Sequence, residues 1–460
     1  MGKIAIIGNS TKKLILFLLV ILISAGALPL RAEAIIFTPG FNVSSDAVVL
    51  INLDKNVTVY EKNPTKKMYP ASLTKIMTAI VVLDHVDDLD NTTYEAPLVV
   101  FDELYGKGAS NVGLSRGEIT TATDLMYSML MHSACESASI LAYHVGGHSI
   151  PNFISMMNEK AKEIGCTGTN FANAHGLYED NQYTNARDIA LITQYAVENY
   201  PKFVEIATTV EYVMKATNYR ESDGWATIYH TNRMLTRSSE YYYPYSRGLK
   251  TGTLDQAGRC LTALGSKDGN NYLLVTMNSP QYDENGSAVN WHYEDHKNIF
   301  DWAFDTFAYQ KLVSSTEYVT ELAVKLGQDQ SHVLLVPAQD FSMIWPQTLD
   351  PTALRREIET ETDEDGAVTA PITQGQKLGE LTLSLGGEII CNIDLVAGES
   401  IERSQLEYSI LKAKEFINSF WFRLAVIIAV VLIILYIIMI TSLNKKRKRK
   451  MKKVTKSRKF

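Results

Sequence analysis

Three short groups of residues could do chemistry, and they fall in one order along the 460 residues: Ser72-Leu73-Thr74-Lys75, Ser133-Ala134-Cys135 and Lys250-Thr251-Gly252-Thr253. Serine and lysine three positions apart on a helix share one face, about one turn apart. A lysine held there, partly desolvated and near another cation, can lose its proton and act as base toward the serine. A serine at the first turn also meets the positive end of the helix dipole. The middle group adds a second hydroxyl, able to relay a proton. In the third, Lys250 and Thr251 could bind an anionic group and Gly252 lets a substrate backbone approach. The N–H of Thr253 could donate to an oxyanion. The set points to acyl transfer through a serine nucleophile.

Each group alone carries little. The serine–lysine spacing recurs at Ser10–Lys13, Ser409–Lys412 and Ser442–Lys445, in segments that read as leader, linker and membrane span. Ser72–Lys75 stands apart because Pro70-Ala71 precedes it and an apolar helical pattern follows. Lys250-Thr251-Gly252 could equally be a β-turn. Ser-Ala-Cys between helical stretches is more often packing than catalysis. Order and company carry the reading.

The elements that must position these residues are legible in the periodicity. Ala47 to Tyr60 alternates around Asp54-Lys55-Asn56 and reads as a β-hairpin. Helical spacing runs over Ser72 to Val86, Thr123 to Met131, Ala134 to His144, Ile150 to Gly165 and Arg187 to Glu198. Strand patterns return at Gly258 to Leu264 and Tyr272 to Met277, before an amphipathic helix over Asn298 to Phe307. Strands at both ends with helices between predict one α+β domain over 35–310, its end segments sharing a sheet. Over 311–403 come short strand-like runs at Val333 to Val336, Leu381 to Leu385 and Ile389 to Leu395. With Glu357 to Gly366 as an acidic loop, they suggest a small β-sandwich.

The two ends differ in kind. Residues 1–34 carry Lys3, Lys12 and Lys13, an apolar run from Leu14 to Ala25, and Ala32-Glu33-Ala34, the layout of a cleavable secretory leader. An uncleaved anchor is the other reading, although the run is short for a span. An amphipathic linker over 404–420 precedes an apolar run over 421–443, long enough to cross a bilayer. The basic tail over 444–460 holds eleven Lys or Arg and no acid, which predicts a cytoplasmic C-terminus and an exterior from Ile35 to about Ser419. A nucleic-acid-binding tail is the rival reading, and its place directly after a span argues against it. The formal net charge is −7; the tail carries +11 and the first 34 residues +3, which leaves −21 for the rest. That balance disfavours a nucleic-acid partner. Cys135, Cys166, Cys260 and Cys391 show no CxxC spacing and no clustered histidines. No metal, no cofactor and no required disulfide are expected.

With these residues in place the chain resembles a family. Pro70-Ala-Ser72-Leu-Thr-Lys75, Gly113-Leu114 with Gly117-Glu118, His175-Gly176-Leu177, Thr184-Asn185-Ala-Arg187-Asp188, Thr231-Asn232 and Gly248-Leu-Lys250-Thr-Gly-Thr-Leu-Asp-Gln-Ala-Gly258 look like the low-molecular-mass penicillin-binding proteins that are D-alanyl-D-alanine carboxypeptidases. The resemblance covers about residues 40–310 and continues through the β-rich segment and anchor. It implies a penicillin-binding, serine β-lactamase-like transpeptidase fold, an antiparallel sheet with a helical cluster. It also implies that Ser72 attacks the penultimate D-alanine carbonyl of peptidoglycan stem pentapeptides with Lys75 as base. Ser133 would pass the proton, and the N–H groups of Ser72 and Thr253 would hold the oxyanion. Lys250 and Thr251 would face the terminal carboxylate, with Gly252 and Cys135 also lining the substrate site. β-Lactams would acylate Ser72. His175 and Arg187 match family positions near the site, where a structural role is as plausible as a chemical one.

Two departures stand out. The middle motif usually ends in Asn, and Cys135 offers only weak versions of that amide's hydrogen bonds. The family's carboxylate-binding arginine, counted back from Trp302, falls on His292. Three rival readings remain open: a serine β-lactamase, a peptidoglycan D,D-endopeptidase or transpeptidase, and a wall-binding protein whose site has decayed. The first lacks its Glu-x-x-x-Asn loop, since Glu179 is followed at that spacing by Tyr183.

Overall fold

The computed structural model describes residues 36–456, with side chains through Lys448; the leader expected over residues 1–34 lies outside the described residues. The chain forms two compact units. One runs up to Gln310 and takes in Ser342–Ala353; the other holds Lys311–Phe341 and the chain from Leu354 on.

The first unit is built on five antiparallel strands: β1 (Ala47–Asn52), β2 (Val57–Lys62), β3 (Ser246–Leu254), β4 (Gly258–Lys267) and β5 (Asn270–Ser279), ordered β2-β1-β5-β4-β3. The two ends of the domain sequence therefore share a sheet, as the periodicity predicts. Pairing of β1 with β5 (Ala47 with Met277, Asn52 with Tyr272) is the junction between them. Both sheet faces are covered, which is why Ala47–Ile51 of β1 is an unbroken apolar run rather than the alternation expected of it. Ala47, Val49 and Ile51 belong to one core cluster with Leu273, Val275 and Met277. Val48 and Leu50 belong to the other, with Leu261, Leu274, Tyr293 and Phe300. Each fully buried Val or Leu contributes roughly 1.5–3 kcal/mol. A one-residue register slip would put every one of them on the wrong face.

The first cluster is the floor of a helical layer: α1 (Thr74–His85), α2 (Leu98–Leu104), α3 (Ala122–Met131), α4 (Cys135–Val145), α5 (Ile150–Ile164), α6 (Ala186–Asn199) and α7 (Pro201–Thr208). Helix α1 is buried from Thr74 through Val82, since its apolar residues continue around the axis; it is the central helix of the layer. Local caps match the sequence: Thr121 Oγ1 accepts from Asp124 N at the start of α3, and Asn185 Oδ1 accepts from Asp188 N at the start of α6. On the opposite face lies α8 (Trp291–Thr306), which begins seven residues before the expected Asn298 and so takes in His292.

The second unit is β-rich. Strands β6 (Thr320–Lys325), β7 (His332–Pro337), β8 (Arg355–Thr360), β9 (Ala367–Thr369), β10 (Lys377–Leu385) and β11 (Glu388–Ala397) form one sheet, ordered β8-β10-β11-β7-β6-β9. The acidic stretch expected as a loop is in part a strand. Glu357 to Thr360 pair with β10, and because β8 is an edge whose six side chains are all exposed, its charges stay in water. Helix α9 (Gln405–Asn418) follows, then α10 (Phe420–Lys456). The stretch Phe420–Lys448 is long and apolar enough to cross a membrane.

Candidate active site

Ser72 sits on a single 3-10 turn, Ala71–Leu73, immediately before α1, rather than on the first α-helical turn itself. The preceding Ala71 has φ 47°, a left-handed conformation that costs a non-glycine residue about 1–2 kcal/mol. Ser133, on the link between α3 and α4, is held the same way at φ 65°. Strain at both hydroxyl-bearing turns marks them as places where side-chain aim outweighs local comfort.

Two glycines let the chain close around Ser72. A Cβ on Gly176 would lie 2.0 Å from the Ala71 carbonyl oxygen, and one on Gly252 would lie 3.2 Å from Ser72 N. The third motif is thus pressed edge-on against the first, bringing the N–H groups around Ser72 beside β3.

Lys75 is fully buried. Its Nζ donates to Ser72 Oγ at 3.1 Å and to the His175 carbonyl at 2.5 Å, and lies 3.5 Å from Cys135 Sγ. Burial pushes its pKa below the ordinary lysine range, opposed in part by Cys135 and Glu136. Lys250, also fully buried, donates to Ser133 Oγ at 3.1 Å and to the Thr251 carbonyl at 2.8 Å. Burial and then the charge of Lys75 hold its pKa well below the lysine range. Thr251 Oγ1 is 2.6 Å from Thr231 Oγ1, and Asn232 Nδ2 donates to the Gly248 carbonyl, fixing the start of β3. Ser72, Lys75, Ser133, Cys135 and the Lys250–Thr253 stretch therefore come together, although they lie up to 181 positions apart in the chain.

The surroundings add residues that motif reading missed. Cys135 N donates to the Ser110 carbonyl. Glu103, on α2, accepts from His175 Nε2 (3.2 Å) and from Ser139 Oγ (2.8 Å), so it orients the loop whose carbonyl holds Lys75. Its carboxyl sits below the usual range: burial raises it, but the contacts with His175 and Ser139 and the charge of Lys107 together outweigh that. Burial keeps His175 neutral. His175 thus serves the site through its backbone carbonyl. Arg187 pairs at the surface with Glu61 of β2 and has no contact with the serine–lysine pair. His292 is buried with Nδ1 unpartnered, held neutral by burial and by the charge of Arg259. All four cysteines are free and buried.

A helical layer against an antiparallel sheet, with a serine–lysine pair at their junction, is the architecture of a serine-type acyl-transfer enzyme. The chain belongs to the D-alanyl-D-alanine carboxypeptidase family, peptidase S11, whose sequence pattern matches residues 34–281. Residues 307–403 match the C-terminal domain of penicillin-binding protein 5. Among curated relatives, D-alanyl-D-alanine carboxypeptidase DacF of Bacillus subtilis is 26% identical over 358 residues, 78% of this chain and 86% of that protein. DacA of Haemophilus influenzae is 26% identical over 361 residues, 77% and 84% of the two chains. The solved D-alanyl-D-alanine carboxypeptidase DacD of Francisella tularensis shares the fold (TM-score 0.62, 22% identity, 81% of this chain and 97% of that one). So does a Streptomyces DD-transpeptidase (TM-score 0.53, 24% identity, 58% and 99%). The protein is a serine-type carboxypeptidase of this family, and its fold is the penicillin-binding serine peptidase domain followed by a β-rich domain and an apolar helix.

Proposed function

We propose that Ser72 is the nucleophile that removes the terminal D-alanine from peptidoglycan stem peptides. Lys75, its ammonium destabilised by burial, takes the Ser72 proton as Oγ adds to the penultimate D-alanine carbonyl. The N–H groups of Ser72 and Thr253 donate to the oxyanion. The proton then passes through Ser133 to the amine of the departing D-alanine, and water hydrolyses the Ser72 ester to restore the enzyme. Lys250 and Thr251 face the terminal carboxylate, and Cys135 occupies the substrate-side position next to Lys75. β-Lactams acylate the same Oγ. The observation that carries this reading is the 3.1 Å contact between Ser72 Oγ and the Nζ of a lysine with no exposure to solvent.

The proposal extends to placement. Cleavage after residue 34 releases a catalytic domain that works outside the membrane, with the β-rich domain over 311–403 and the linker over 404–420 leading to the span at 421–443. The basic tail over 444–460 stays in the cytoplasm, supported by its charge and its position after the span. The test is release of D-alanine from a peptide ending in D-alanyl-D-alanine, with covalent labelling by a fluorescent penicillin read beside it. Both should vanish in Ser72→Ala. Labelling that persists in the variant would refute Ser72 as nucleophile.

A further inference from the structure

Buried lysines and a neutral histidine leave the site short of a free cation. Lys250 commits two of its three donors to Ser133 and the Thr251 carbonyl, and its pKa is depressed. His292 stands where the resemblance places an arginine, but burial and the charge of Arg259 hold its imidazole at about 3, so it carries no charge near neutral pH. Arg233, on the loop before β3, is paired with Glu240.

Arg259 is different. It is the second residue of β4, directly opposite Thr253, and its diagonal neighbour is Thr251, which pairs with Leu261. Cross-strand partners hold their Cβ atoms roughly 5 Å apart and diagonal ones roughly 7–8 Å, well within an arginine's reach. The strand alternation settles the face. Lys250 and Gly252 point to the helical layer, toward Ser133 and Ser72. Leu261 belongs to the core on the opposite face, and Thr251, Thr253 and Arg259 share its parity. Arg259 is half-buried. Its Nε donates to the Val289 carbonyl at 2.8 Å, and no carboxylate among the described residues pairs with the guanidinium. Both terminal nitrogens are left for a ligand on the face that carries the two threonine hydroxyls.

We infer that Arg259 joins Lys250 and Thr251 in reading the substrate's terminal carboxylate, supplying from β4 the cation that position 292 on α8 lacks. The inference rests on the proposed carboxypeptidase reading. A planar guanidinium matches a carboxylate with two parallel hydrogen bonds, so it discriminates a free acid from an ester or amide as well as binding it.

The test compares acylation of the full-length, detergent-solubilised protein by benzylpenicillin and by its methyl ester, which has the same reactive ring without the anion. The native protein should prefer the acid. Arg259→Gln should lose about 10- to 100-fold in acylation by the acid, the range of one hydrogen-bonded charge pair, with little change for the ester. Arg259→Lys should recover part of the preference, and Arg259→Gln combined with His292→Arg should recover more. Undiminished preference for the acid in Arg259→Gln, or equal losses with acid and ester, would overturn the inference. If the native protein were acylated by neither compound, the carboxypeptidase reading would fail, and with it this one.

Discussion

Gly176 offers a direct test of whether close backbone approach sets the aim of Ser72. Replacing it by Ala would put Cβ 2.0 Å from the Ala71 carbonyl oxygen and 3.0 Å from Ser72 N, where real Cβ contacts essentially never fall under 3.0 Å. The gap must therefore open by about 1 Å, and the yielding atoms are backbone on both sides. A displacement of that size at a reacting group costs about 100-fold in rate. The residue also has φ +88°, which adds about 1–2 kcal/mol of strain for any L side chain. Gly165 separates the two effects: it ends α5 at φ +98°, and a Cβ there meets nothing within 4 Å. Gly165→Ala should lower stability by about 1–2 kcal/mol and leave acylation intact. Gly252→Ala belongs between them, with contacts of 3.1 Å to Ala71 Cβ and 3.2 Å to Ser72 N. The assay is the second-order rate of labelling by a fluorescent penicillin, with thermal melting measured on the same samples. Acylation by Gly176→Ala within about threefold of the native rate, in a protein that melts normally, would refute the steric argument.

Three further outcomes follow from the geometry. Cys135→Asn should keep or raise acylation, because an amide beside Lys75 Nζ offers stronger hydrogen bonds than a thiol 3.5 Å away; loss of all labelling in a folded variant would give the thiol a role of its own. Glu103→Ala strips partners from His175 and Ser139, so it should cost about 1.5–3 kcal/mol of stability and slow acylation through the loop that holds Lys75; denaturant melts and labelling rates check the two parts. Burial and the charge of Lys250 hold the His230 imidazole at about 4. The unfolded chain takes up that proton near 6.5, so it binds more protons than the folded one. Roughly 3 kcal/mol, fully present above about 6.5, is then lost as pH falls to about 4. His230→Gln should flatten the fall in unfolding midpoint between those pH values, and an unchanged slope would contradict the assignment.

Much of the catalytic domain was legible because its elements obey local rules. The β1–β2 hairpin, the helices bearing Lys75 and Cys135, and strands β4 and β5 follow from periodicity that a two-sided core imposes on short segments. The apolar run after Trp421 was legible from length and composition alone. Where neighbours overrule local pattern, the sequence misled. Ser72 is on a 3-10 turn because Gly176 and Gly252 press against it, and nothing at positions 72–75 announces that. Helix α8 starts earlier than its amphipathic stretch because its first turn buries His292 and Tyr293. The acidic residues from Glu357 to Thr360 form an edge strand because an edge strand can keep both faces in water, so no apolar alternation is required.

Residue types and their order determined which chemistry this chain can attempt: a hydroxyl with an amine one turn away, a second hydroxyl, and a lysine-threonine-glycine strand. They also determined that the domain's two ends would form strands and that a membrane-length helix would follow. Only the tertiary structure decided which atoms meet. The motif around His175 marked its position, but it acts through a carbonyl that every residue possesses, so no side-chain pattern could identify the contact with Lys75. Glu103 reaches His175 across 72 positions because α2 packs onto α4. Arg259 stands opposite Thr253 because of strand register, which depends on how two whole strands fill their faces. Motifs are local and cheap to read, whereas burial, register and backbone contacts arise from the whole chain at once.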